Sequence, residues 1–323
     1  MKIKVKGMLM AFGLVMVVLV LTGCGSYVRN SEQSDLSEQD SGQSAAYGHE
    51  LGHELELDQS GNTGQNPSGI TIYTSFHAMY DFTRTIAGDA LEVSVLLPPG
   101  ASAHHWEPSA QDMVRLSQAS AFIYHGSGME HFTDTLKASL DGQLLFIEAS
   151  ANVEPSLGRA DPHLWLNPVY AGIIKETITE ALIHIDPYNE AVYRENFYHA
   201  TQRLDELESL FREASENFVR RDIVVSHGAF GHLSYAFGLN QVPIEGLQVR
   251  IDPSPARMVD IISFVRDNGV TTIFYDKDPS LALAVANNTG ARVVMLDTFE
   301  GISNDDYFTV MLRNLEVLID ALS

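Results

Sequence analysis

Twelve histidines are spread over the 323 residues, and several stand where imidazole could bind metal. The densest pattern is His49-Glu50-Leu51-Gly52-His53, an H-E-x-x-H. On a stable helix this spacing puts two imidazoles on one face, where they hold one Zn²⁺ beside a glutamate base. The scaffold for that chemistry is missing here. Gly48 precedes the motif and Gly52 interrupts it. The flanks "SEQSDLSEQDSGQS" (31–44) and "DQSGNTGQNPSG" (58–69) are rich in Ser, Gln, Gly and acid. Such composition buries too little apolar surface to order itself. The expectation is an accidental match in a disordered tether. Loose auxiliary metal binding by His49 and His53 stays open, and a zinc hydrolase built on 49–53 is the alternative from another class.

Three other histidines sit differently. His104 lies in "PPGASAHHWEP", directly after a β-rich run. His163 lies in "DPHLWLNP", an irregular loop before a helix, and His227 in "VVSHGAFGH", at the carboxyl end of a strand. Asp297 closes the strand "ARVVMLD". In open parallel sheets, ligands bind outside the carboxyl ends of the strands. Two such edges facing each other would form a cleft, and three neutral imidazoles with one carboxylate suit tetrahedral zinc. His77, which opens a helix beside a strand end, is a further candidate. His125, His131, His184 and His199 read as packed or solvated.

These residues must be positioned by the elements around them, and the body of the chain alternates strand and helix. "ITIYTSF" (70–76), "LEVSVLLPPG" (91–100), "AFIYHG" (121–126) and "LLFIEAS" (144–150) read as strands. Helical patterns at 78–88, 109–120 and 129–140 separate them. A second series runs "DIVVSHG" (222–228), "VPIEGL" (242–247), "TTIFYD" (271–276) and "ARVVMLD" (291–297), again with helices between and a last helix from about Asp306. Alternation with short turns means parallel sheets covered by helices. Between the series, the apolar stripe Tyr193, Phe197, Ala200, Leu204, Leu207, Phe211, Ala214, Phe218 keeps a helical period. Asp186-Pro187 is its expected start, and no Gly or Pro intervenes from Tyr188 to Arg221. At 1.5 Å per residue this predicts a rigid connecting helix of about 50 Å.

The amino terminus predicts where the protein works. "MKIKVKG" is basic. The apolar run after it is about 14 residues, short for a membrane span, and "LTGC" follows. Leu21-Thr22-Gly23-Cys24 resembles a bacterial lipobox, in which Cys24 is acylated. Cys24 is the only cysteine, so no intrachain disulfide is expected. The formal charge of −22 excludes a nucleic-acid binder, which needs a basic face. The expected organisation is a signal peptide at 1–23 and a lipidated Cys24 with a tether over 24–69. An α/β lobe at 70–186, a linking helix at 187–221 and a second α/β lobe at 222–323 complete it.

"GASAHHWEP", "DPHLWLNP", "SHGAFGHLSYAFGL", "GLQVRIDPSPARM" and "TGARVVMLD" occur in the order and spacing of the metal-binding lipoproteins of ABC importers. The chain resembles their zinc/manganese group, the cluster A-I or adhesin lipoprotein family, over about residues 70–323. The resemblance implies an α/β fold of two (β/α)4 lobes with parallel sheets, one long linking helix and a metal site in the cleft between lobes. It implies His104, four positions after Gly100, as first ligand in place of His105, then His163, His227 and Asp297. Zinc members carry histidine at the third position and manganese members tend to carry glutamate; imidazole also favours zinc over the harder Mn²⁺. The sequence departs from the family in two places. No His-rich loop precedes "DPHLW", and "LDTFEG" replaces the commoner "LDPLG", which bears on the placement of Asp297. The implied function is a non-enzymatic, extracytoplasmic, lipid-anchored and monomeric Zn²⁺ receptor. It would serve a membrane ABC permease with its cytoplasmic ATPase, with Mn²⁺ or mixed-metal reception as the alternative within the family.

Overall fold

The computed structural model describes residues 69–158, 160–247 and 253–323. The expected signal segment, Cys24, His49 and His53 lie outside the described residues. Eight strands and nine α-helices alternate along the described chain. The first sheet contains β1 (Thr71–Thr74), β2 (Glu92–Val95), β3 (Ala121–Tyr124) and β4 (Leu145–Glu148), in spatial order β2-β1-β3-β4. The second contains β5 (Asp222–Val225), β6 (Asn240–Pro243), β7 (Thr272–Tyr275) and β8 (Arg292–Met295), in order β6-β5-β7-β8. All pairings are parallel. The strand order reverses between β1 and β3, and again between β5 and β7. A crevice opens at such a point, because the flanking connections leave toward opposite faces.

The helices follow from their caps. Before α2 (Ala110–Ser117), the Ser109 hydroxyl accepts from the Asp112 N–H and the Asp112 carboxylate accepts from the Ser109 N–H, a full capping box. Asn167 caps α4 (Pro168–Ile185), whose first residue is a proline with no N–H to satisfy. Asp306 caps α9 (Tyr307–Leu322) by accepting from the Thr309 N–H. Helix α1 (His77–Ala87) starts after only two residues, Ser75 and Phe76, beyond β1.

The connecting helix is shorter than the sequence predicts. A 3₁₀ turn occupies Pro187–Asn189, and α5 runs Glu190–Glu216, about 40 Å at 1.5 Å per residue. The Asp186 carboxylate does not cap the backbone. It accepts instead from the Asn189 amide and the Tyr193 hydroxyl, each at 2.7 Å. At the far end the chain leaves the helix because the N–H groups of Val219 and Arg220 donate to the Leu322 carbonyl in α9. The stripe itself is as expected: Tyr193, Ala200, Leu204, Leu207 and Phe211 are buried, and α5 packs against α1, α4 and α9. Complete burial of Leu207 and Phe211 contributes roughly 2 kcal/mol apiece.

One apolar core runs through elements of both sheets, taking in Phe76, Trp165, Phe230, Phe299 and Tyr307. Trp165 is its polar rivet. Its indole N–H donates to the Thr298 carbonyl at 2.8 Å, and its own carbonyl accepts from the Tyr307 hydroxyl at 2.7 Å. Among the described residues no helix is long and apolar enough to cross a membrane.

Candidate metal centre

Four loops deliver side chains to one buried point. After β2, the N–H groups of His105 and Trp106 both donate to the Ser102 carbonyl, closing a tight turn. That turn aims His104 inward, 3% exposed, and leaves His105 outside. Asp161 fixes His163: its Oδ1 accepts from the His163 backbone N–H at 3.0 Å and from Nδ1–H at 2.8 Å. The short β5 ends at Val225, and His227 follows with Nδ1 at 3.2 Å from Asp276 Oδ2. Asp276 comes from the end of the adjacent β7, so this pair sits at the second sheet's crossover point. Glu300 arrives from the loop after β8 and is 1% exposed.

One ligand atom from each of His104, His163, His227 and Glu300 lies within 4.8 Å of every other. The Nε2 atoms of His104 and His163 are 3.2 Å apart, and each is 3.6 Å from Glu300 Oε1. A tetrahedral ion with bonds of about 2.05 Å requires ligand-to-ligand edges of roughly 3.3 Å. Glu300 Oε1 is buried and has no hydrogen-bond partner, whereas its Oε2 accepts from Lys277 Nζ at 2.8 Å. Two of the imidazoles thus have a carboxylate on the nitrogen opposite the cluster. A ring that keeps its proton on Nδ1 can offer its Nε2 lone pair to a metal, so binding would require His163 to give up its second proton and His227 Nε2 to leave the Leu247 carbonyl, 3.2 Å away.

The electrostatics divide the four groups. Burial lowers the His104 pKa, offset in part by Glu300. Burial also acts to lower His163, but the Asp161 and Glu300 carboxylates outweigh it and hold the ring up at about 9. Glu300 is pushed upward by burial and yet lies well below the usual carboxylate range, because His104, His163 and Lys277 surround it. Asp161 and Asp276 are likewise held low against burial, chiefly by hydrogen bonds from His163 and His227. The site therefore holds its carboxylates ionised at neutral pH, as cation binding needs.

The structure brings together three of the four expected ligands, His104, His163 and His227. The carboxylate that joins them is Glu300, in place of Asp297. Asp297 has other work: Oδ1 accepts from the Phe299 N–H at 2.8 Å, and its backbone exchanges two hydrogen bonds with the Asn314 amide. These contacts hold Phe299 at φ 56, left-handed and uncommon for a residue with a side chain, and that turn swings Glu300 into the cluster. The signal was present in "LDTFEG", where an acid lies three residues beyond the strand-end aspartate. His77 lies outside the group, and its Nε2 accepts from the Ser303 N–H. His125 is fully buried with Nε2 on the Pro162 carbonyl, and burial lowers its pKa to about 3.

The comparisons with known proteins bear on the family and the fold. The ZnuA family profile, described as zinc-uptake complex component A, periplasmic, matches residues 72–321. The chain is 28% identical to the high-affinity zinc uptake system protein ZnuA of Bacillus subtilis, over 81% of this chain and 90% of that protein. The laminin-binding protein Lmb of Streptococcus agalactiae, described as having adhesin and metal-transporting activity, superposes with a TM-score of 0.73. It is 31% identical, covering 79% of this chain and all of Lmb. Zn(II)-bound AdcA of Streptococcus pneumoniae gives a TM-score of 0.70 at 28% identity, over 78% of this chain and 57% of AdcA, a protein of which this chain spans little more than half. A profile match over most of the body, on an α/β fold of two parallel sheets joined by one long helix, places this chain in the ZnuA family of zinc-uptake components.

Proposed function

We propose that the protein is an extracytoplasmic Zn²⁺ receptor that takes its cargo on His104, His163, His227 and Glu300 and passes it to a membrane ABC permease driven by a cytoplasmic ATPase. The single observation that carries this reading is the fit of the cluster to a tetrahedral ion. The edges among His104, His163 and Glu300, 3.2 and 3.6 Å, bracket the zinc value, the His227 ligand atom lies within 4.8 Å of each, and an unpartnered carboxylate oxygen faces two imidazole nitrogens. The names of the relatives, a zinc uptake protein and a Zn(II)-bound lipoprotein, support the same cargo. Three nitrogens and one oxygen suit zinc better than Mn²⁺, which prefers more oxygen ligands. Four protein donors leave no open coordination position for an activated water, so the centre is built to hold an ion and not to hydrolyse a bond. Acylated Cys24 would keep the receptor beside its permease.

Competition titration against a chromophoric chelator tests this. The protein is expected to bind one Zn²⁺ tightly and Mn²⁺ much more weakly, and Glu300→Gln to lose most of the zinc affinity while Asp297→Asn loses less. Mn²⁺ binding as tight as Zn²⁺ binding would overturn the zinc assignment. A Cys24→Ser form that stays with the membrane fraction would overturn the anchor.

A further inference from the structure

We propose that Lys277 sets the metal selectivity of the centre by holding Glu300 to a single coordinating oxygen. This rests on the reading of the cluster as a zinc site. The two oxygens of Glu300 have divided surroundings. Oε1 faces the Nε2 atoms of His104 and His163 at 3.6 Å and accepts no hydrogen bond. Oε2 is 2.8 Å from the Lys277 ammonium. A carboxylate grips a cation with both oxygens only if both can turn toward it. With Oε2 occupied by a cationic donor, Glu300 offers one bond, and the protein offers four in all.

That limit matters because metals differ in how many donors they want. Zn²⁺ is satisfied by four, whereas hard cations such as Ca²⁺ take six to eight oxygens, often from bidentate carboxylates, and Mn²⁺ likewise favours an oxygen-rich octahedral set. A protein that cannot add the fifth donor leaves such ions to complete their shell with water, a weaker hold than a second carboxylate oxygen. The ammonium also adds positive charge next to the ion, a cost borne by every cation and offset only where the remaining bonds are strong.

An ordinary surface ion pair would not be arranged this way. Glu300 is 1% exposed and Lys277 is 43% exposed, so a half-solvated lysine reaches inward to a carboxylate that water does not reach. The position is also specific. Asp276 and Lys277 are consecutive at the end of β7. The first orients His227 and the second orients Glu300, so one strand end positions two ligands from different loops. A cavity of about 400 Å³ lined by His104, His227, Asp276, Lys277 and Glu300 adjoins the cluster on this side, leaving the lysine room to move.

Cobalt substitution reads the coordination number directly, because four-coordinate Co²⁺ absorbs visible light several times more strongly than five-coordinate Co²⁺. The unsubstituted protein is expected to give the intense four-coordinate band. Lys277→Met is expected to weaken that band and to narrow the Zn²⁺-to-Mn²⁺ affinity ratio by about tenfold, a change of about 1.4 kcal/mol. Lys277→Gln, which returns an N–H donor for Oε2, is expected to restore the intense band. Lys277→Ala serves as a second truncation should the methionine form fail to fold. An unchanged band and an unchanged ratio in the truncated forms would overturn the inference, as would a glutamine form indistinguishable from the methionine form. Absence of any Co²⁺ band or Zn²⁺ binding in the unsubstituted protein would instead overturn the receptor reading, and this inference with it.

Discussion

Around His163 and Glu300, buried charge is surrounded by partners; around Lys175, it is nearly alone. Lys175 is 3% exposed, with its ammonium 4.0 Å from Asp81 Oδ2 and 4.0 Å above the Phe82 ring. Asp81 Oδ2 has no hydrogen-bond partner. A cavity of about 170 Å³ lined by Asp81, Lys175, Asn196, Arg203 and Tyr307 adjoins the pair. Burial dominates there: it lowers the lysine to about 8, with Asp81 only partly resisting, and it raises Asp81. At the metal cluster the signs are reversed, since carboxylates are held low and His163 is held high. Depth is similar in the two places. What differs is whether each charge has oriented donors within hydrogen-bond reach, and that decides whether a buried ion is kept charged or driven toward neutrality.

Breaking the well-partnered cluster should cost most. His163→Ala removes a ligand and its link to Asp161, and is expected to weaken zinc binding by more than about a hundredfold in competition titration, beyond the effect of losing an outer partner. Asp161→Asn keeps the shape and removes the charge that orients His163; the expected loss is about 10- to 100-fold. Gly231→Ala tests the same contact from the other sheet. A Cβ there would lie 2.5 Å from Asp161 Oδ2, so the carboxylate must shift and carry His163 with it. Zinc affinity should fall by less than in Asp161→Asn, and chemical denaturation should show a cost of about 1–3 kcal/mol from overpacking.

The poorly partnered pair should respond in stability and not in metal affinity. Lys175→Met is expected to leave zinc titrations unchanged. Its pH dependence carries the sharper signature. Below pH 8 both folded and unfolded chains hold the lysine proton. Between about 8 and the ordinary value of 10.5 the folded chain has released it and the unfolded chain has not, so stability should rise with pH through that window. Denaturation midpoints of the Lys175→Met form should lack that rise. Parallel pH profiles for the two proteins would show that Lys175 is not the strained group the comparison makes it.

The sequence showed the scaffold and most of the cluster because both are written in local patterns. Strand–helix alternation, the last helix from about Asp306 and the α5 stripe each depend on near neighbours in the chain, and each is present. The choice of His104 over His105 rested on an offset from Gly100 that the resemblance supplied. The turn onto the Ser102 carbonyl gives its physical cause. Glu300 was missed because its placement depends on a left-handed Phe299, held by Asp297, whose backbone is anchored in turn to Asn314 on α9, a contact that no local pattern announces. The start of α5 was misread because Asp186 finds side-chain partners that compete with the backbone. Asp276 and Lys277 escaped notice for the same reason as Glu300, since each acquires its meaning only when loops far apart in the chain meet.

The chain contains two tryptophans, and each stands beside a cluster histidine: Trp106 two residues after His104, and Trp165 two residues after His163. The second is fully buried, its ring centre 5.3 Å from that of His163, with its N–H spent on the loop that carries Glu300. Indole emission is sensitive to a nearby imidazole's protonation and to the polarity around its N–H. A cation bound at His163 would change the charge 5.3 Å from this ring. The expected outcome is that Trp165 serves as an optical gauge of occupancy, checked by following ultraviolet emission of unlabelled protein on mixing with Zn²⁺.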